Sequence, residues 1–266
     1  MPLMILRSLG MFKAELKRAI LCPSFILATV ILIASLLLGV IYDILYSVGT
    51  DLLELYELTT SIGTSILILP IVTSLPFVGS YTSDANSGYM YFTMIRTNKR
   101  NYMLTKITVA AISGFLMVFI ALSVFFVTSI VMRPGVLNHP EQIWEVYGGY
   151  WNEYVVAGKE WVVLLAKSIM LCFYGALWPV LGLAFSTVIT NKYFVLAMPF
   201  FVSEVVSYLT QYTGMYMLEF DNIPLRGSIS DLVYGGMPYA LCYWFVLIFI
   251  LSIFFYRGIG RKLKNG

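Results

Sequence analysis

Six apolar runs alternate along this chain with short polar connections, and each run is long enough to cross a bilayer. They are Ser24–Tyr42, Ile62–Tyr81, Ile107–Met132, Trp161–Ile189, Tyr193–Tyr212 and Met237–Tyr256. A helix needs about 20 apolar residues to traverse a hydrocarbon core roughly 30 Å thick, so each run predicts one spanning helix. Six of them in 266 residues leave little room for a soluble domain. The expected fold is therefore an all-α membrane protein, a single transmembrane domain over residues 1–266. Ahead of the first run, residues 4–22 repeat Ile5, Leu9, Phe12, Leu16 and Ile20 at helical spacing. Arg7, Lys13, Lys17 and Arg18 fall mainly off that stripe. The pattern predicts an amphipathic helix in the interface plane, its cations toward anionic headgroups. An ordinary basic flank that only sets topology is the plainer alternative. Pro23 breaks this helix and suits the first turn of the next.

Composition agrees. Apolar residues make up 59% of the chain and charged residues 12%, whereas a soluble domain is nearer a quarter charged. The net charge of +3 is informative only once it is sorted by connection. Lys and Arg gather before the first run, between the second and third (Arg96, Lys99, Arg100, Lys106), at Lys192, and after the sixth (Arg257, Arg261, Lys262, Lys264). The other connections are acidic: Asp43, Asp51, Glu54 and Glu57, then Glu141, Glu145, Glu153 and Glu160, then Glu219, Asp221 and Asp231. The positive-inside rule then puts both termini in the cytoplasm, and an even number of spans agrees with both termini lying on one side. Cys22, Cys172 and Cys242 lie in or beside spans without metal-ligand spacing, and are read as buried structural thiols. The basic start followed by a long apolar run, with no small-residue cleavage pattern, is not that of a cleaved signal peptide.

The runs differ in character. The second contains Pro70 and Pro76 among Thr73, Ser74 and other hydroxyl residues. Prolines free backbone carbonyls that neighbouring helices or hydroxyls can satisfy, and small polar residues permit close packing. This predicts an inner helix, either lining a translocation path or simply kinked for packing. Two ionisable residues fall inside runs, Lys167 in the fourth and Glu204 in the fifth. A lone charge at bilayer centre costs roughly 2.5–3.5 kcal/mol on insertion scales. The two fall at similar depth, so an ion pair between them or a shared outward-facing cavity is expected. Lys167 could equally snorkel to the outer interface. Trp144, Tyr147, Trp151 and Tyr154 share a helical face in the third connection. They are read as an interfacial belt or, more specifically, as an outer surface gripping an amphipathic substrate.

Catalytic patterns are missing. The chain has one histidine, His139, and lacks H-E-x-x-H, G-x-S-x-G and the G-x-x-x-x-G-K-[ST] phosphate loop. It is not expected to be an enzyme, nor to bind a metal, a cofactor or nucleic acid.

The most specific segment is YTSDANSGYMYFTMIRTNKRNYMLTKITVAAISG, residues 81–114. An acidic residue, Asp84, leaves a span. Gly88 follows, then the amphipathic stretch Tyr89–Ile95, Arg96, Arg100, and Tyr102 and Lys106 entering the next span. This resembles the permease subunits of ABC transporters of the ABC-2 type, in which this connection forms a coupling helix that docks on the ATPase. Asp84 stands where that family more often has glutamate, and Thr97–Asn98 where it has proline. MFKAELKRAILCPSF resembles the family's N-terminal elbow helix. The resemblance implies six spans with both termini cytoplasmic, and residues 83–106 as the coupling segment. It implies partnership with an ABC ATPase subunit that carries ATP and Mg, and with a second permease, identical or related. It further implies an exporter in a bacterial plasma membrane, surrounded by membrane lipid, with an antimicrobial peptide, drug or lipid as substrate. An ATP-independent secondary transporter or channel, or a non-transporting scaffold or sensor subunit, are the alternatives.

Overall fold

The computed structural model describes residues 2–46, 51–61, 65–132, 151, 154–155, 157–215, 220 and 237–265. Trp144, Tyr147 and His139 lie outside these. The described residues form helices joined by short turns, with no strand among them. In chain order the helices are α1 (Pro2–Ile20), α2 (Pro23–Tyr46), α3 (Leu52–Ser61), α4 (Ser65–Ser74), α5 (Gly79–Asn86), α6 (Tyr89–Thr97), α7 (Lys99–Met132), α8 (Glu160–Ser186), α9 (Lys192–Thr213) and α10 (Met237–Asn265). Six stretches are long and apolar enough to cross a membrane: α2, α4 with α5, α7, α8, α9 and α10. The chain thus has the make-up of a multi-pass membrane protein.

The second span is broken beside Pro76, while Pro70 sits inside α4. Pro76 has no N–H to offer the Val72 carbonyl. The Leu75 N–H reaches that carbonyl at 3.3 Å as well as that of Ile71 at 3.2 Å. The chain then turns through Leu75–Val78 and resumes as α5. The Thr73 and Ser74 hydroxyls donate to the Leu69 and Pro70 carbonyls, each at 2.8 Å. Both residues and Pro70 are buried, and Pro76 is half-buried. The most apolar stretches of the second and fourth spans are 61% and 78% buried, against 22% and 17% for the fifth and sixth. The second span is therefore an inner helix, and its Thr73 and Ser74 hydroxyls bond its own backbone.

Helices α7 and α8 cross in near-contact at Gly114 and Gly175, where a Cβ on Gly114 would collide with the Gly175 carbonyl. One long core runs through α2, α3, α4, α7, α8 and the start of α10. A second, smaller core gathers Ala19 of α1, Tyr81 of α5, Met90 of α6, Tyr102 of α7, Leu183 of α8 and Phe255 and Ile259 of α10. It collects the basic segments of the sequence at one end of the bundle. Helix α7 is about 50 Å long at 1.5 Å per residue, so its first turns extend past a hydrocarbon core of roughly 30 Å.

Three expectations are corrected. Cys242 is exposed on α10 rather than buried. Trp151 is 4% exposed and belongs to the main core, its ring 6.1 Å from that of Tyr154. It does not line an outer surface, because its large apolar ring gains more from the core. Lys167 does not pair with Glu204. Its ammonium donates to the carboxylate of Glu57 on α3, a helix in the first connection that the span pattern did not anticipate.

Candidate functional site

The candidate site lies where α1, α5, α6 and the start of α7 meet. Gly88 ends α5 with a left-handed φ of 71°, a conformation open to glycine without a Cβ penalty. Its N–H bonds the Ala85 carbonyl, and α6 begins at the next residue. Asn98 separates α6 from α7 with φ 75°. Its ψ of 147° lies outside the left-handed helical region that asparagine tolerates, so the backbone at this turn is strained. With Thr97 it stands where the resemblance to ABC-2 permeases expects proline.

Between these turns α6 is two-faced. Met90, Thr93 and Thr97 are buried, and the Thr hydroxyls donate to the carbonyls four residues back. Tyr89, Phe92 and Ile95 recur at i, i+3 and i+6 on the opposite side, and Ile95 is 83% exposed. Arg96 and Arg100 are also exposed. Nine residues are too few to cross a membrane, so this apolar face belongs to a surface helix.

Beneath α6 lies a buried charge cluster. The Lys106 ammonium is fully buried, 2.9 Å from Glu15 Oε2 and 2.6 Å from Asp84 Oδ2. Arg18 donates to Asp84 Oδ1 at 2.9 Å, lies 3.9 Å from Glu15 and keeps 45% of its side chain exposed. The Tyr102 hydroxyl donates to Asp84 Oδ2 at 3.4 Å. The Phe77 and Tyr102 rings lie 5.1 and 5.7 Å from Lys106 Nζ. Two cations and two carboxylates close the cluster at zero net charge. Such a group is tolerable in low dielectric only because every charge is paired. It ties α1, α5 and α7 together at the root of α6.

The seven residues of the coupling pattern therefore divide. Tyr89, Arg96 and Arg100 face outward. Asp84, Tyr102 and Lys106 face inward as a brace, and Gly88 shapes the turn. Sequence reading passed over Glu15. Its signal was position: it sits beside Phe12, Leu16 and Ala19 on the packed face of α1, where a carboxylate needs a buried partner.

At the other end, Glu57 and Lys167 form a second pair, their side chains 22% and 5% exposed. Burial raises the Glu57 carboxyl above its ordinary range, and Lys167 offsets part of that rise. Glu204 is half-buried on α9 and makes no ion pair among the described residues. Ser203 and Ser207, on the adjoining face, are buried.

Compared with models of known protein families, with curated proteins and with solved structures, the chain matches none. The class its architecture defines is an all-helical protein with six candidate membrane spans.

Proposed function

We propose that this chain is the membrane-spanning subunit of an ATP-driven exporter of the ABC-2 type, driven through α6 by a separate ATPase. The observation that carries the reading is α6 itself. It presents Tyr89, Phe92 and Ile95 outward at the basic end of the bundle, with Arg96 and Arg100 beside them. An exposed apolar strip rimmed by cations fits a protein partner. The buried cluster supports a mechanical role. A push on α6 would not be absorbed by loose loops, because Asp84 and Lys106 lock the adjoining spans to each other and to α1. In this scheme α1 is the elbow helix, both termini are cytoplasmic, and ATP-driven closure of the partner tilts the second and third spans.

A second permease, identical or related, completes the assembly. Helix α9 exposes Phe201, Val205, Tyr208 and Tyr212 and carries the half-buried Glu204. A carboxylate facing lipid is costly, so a second copy covering α9 accounts for it. Pro70, Thr73, Ser74 and Pro76 support packing of the second span more than a lining role. The substrate class proposed is an antimicrobial peptide, drug or lipid.

The test is purification of the tagged chain from its native membrane in mild detergent, with mass-spectrometric identification of bound subunits. A stoichiometric P-loop ATPase, lost in R96E/R100E and in I95E, is expected. A chain that purifies folded and alone would reject the proposal.

A further inference from the structure

At the basic end, α5, α6, α8 and α10 leave a cleft of about 470 Å³ between them. Its walls include Asn86, Met90, Tyr91, Val188, Arg261 and Lys262. No carboxylate lines it, and neither cation pairs with a carboxylate among the described residues. The nearest buried acid on α5, Asp84, is already held by Lys106 and Arg18. Lys262 is steadied by the Tyr81 ring, 5.3 Å from its Nζ, which leaves its N–H donors free.

The surrounding helix ends do not cancel this charge. Helices α5 and α8 end beside the cleft, and a C-terminus carries about half a negative charge. Helix α6 begins there, with Met90 and Tyr91 from its first turn in the wall, and adds about half a positive charge. Two full cations against a net half negative leave the cleft clearly positive. The exposed Asn86 amide adds neutral donors. The cleft is therefore built for an anion with several acceptor oxygens.

Its position selects the source of that anion. The α10 stripe that supplies Gly258 and Arg261 continues toward the membrane as Phe254 and Ile250, both exposed. Val188, at the cleft's edge, is exposed as well. An apolar face that runs into a cationic cleft at the end of a span matches a lipid, acyl chain along α10 and headgroup between Arg261 and Lys262. We infer that this cleft binds the phosphate headgroup of an anionic phospholipid, a site separate from the α6 face and independent of the transport proposal.

The full-length chain in neutral detergent is titrated with phosphatidylglycerol, with phosphatidylcholine of the same acyl chains, and with inorganic phosphate. Native mass spectrometry and thermal unfolding report binding. Phosphatidylglycerol should bind and raise the unfolding midpoint, and the other two should not. Each surface cation near an anionic lipid contributes about fivefold, so R261Q/K262Q should bind about 30-fold more weakly. Arg257→Gln, outside the cleft, and the charge-keeping Lys262→Arg should bind as the parent does. If the double variant unfolds, the single variants R261Q and K262Q carry the comparison at about fivefold each. Equal binding of phosphatidylcholine, equal stabilisation by inorganic phosphate, or undiminished binding by the glutamine variants would each overturn the inference.

Discussion

Replacing Lys106 with methionine keeps most of the apolar stem and removes the ammonium, with its charge and its N–H donors. In the native cluster that charge serves Glu15 at 2.9 Å and Asp84 at 2.6 Å. Without it, Asp84 retains Arg18 at 2.9 Å, but the nearest cation to Glu15 is Arg18 at 3.9 Å, nearly half exposed. Removing one partner of a buried ion pair costs about 3–5 kcal/mol, since the orphaned charge stays buried. K106M should therefore lower the folded-to-unfolded ratio by about two to four powers of ten. The double variant E15Q/K106M removes the orphan and leaves the Asp84–Arg18 pair whole. It should recover most of the loss, because replacing an entire buried pair is often nearly neutral. Equilibrium unfolding in mixed micelles, followed by tryptophan fluorescence, measures all three proteins. K106M as stable as the parent, or a double variant no better than K106M, would refute the electrostatic account.

The Glu57–Lys167 pair gives a second prediction with a pH signature. E57Q should destabilise more than K167M, since it strands the deeper-buried charge. In K167M the Glu57 carboxyl, already raised by burial, loses its compensating cation and keeps its proton to higher pH. The folded state then holds a proton that the unfolded state releases, so K167M should lose stability as pH rises through that raised pKa. Gly114→Val drives a branched side chain into the α8 backbone at Gly175 and should cost about 1–3 kcal/mol. The control, Gly10→Ala, meets nothing within 4 Å and should not destabilise in the same assay, since alanine is favoured over glycine inside a helix by about 1 kcal/mol. Glu204→Gln should leave the thermal stability of the single chain unchanged and alter self-association, read by light scattering in detergent.

The spans were legible because a bilayer imposes a length and polarity requirement that local sequence must meet by itself. The inner, proline-bent character of the second span was legible for a similar reason, but the full break after Ser74 and the left-handed turn at Gly88 were not read from the sequence. Charge partners were not. The Lys106–Glu15 contact joins residues 91 positions apart and the Lys167–Glu57 contact joins residues 110 apart. Periodicity carries no information over such distances. Glu204 looked like the partner of Lys167 because depth was the available coordinate, and depth does not say which faces of two helices meet. Helix α3 escaped notice because its ten residues are too few to register as a span. Yet α3 is what carries Glu57 onto α8. Trp151 was misplaced for a related reason, because an aromatic residue in a connection serves a membrane belt and a core equally well.

The proposal that α6 is the docking element is tested most directly at Ile95. A photo-crosslinking amino acid placed there should capture a P-loop ATPase in intact membranes. The same probe at Phe249, on the exposed apolar face of α10, should capture none. Identification of the ATPase by mass spectrometry at Ile95 alone is the predicted result. Crosslinks from Ile95 to lipid only, in membranes where the chain is folded, would contradict the account.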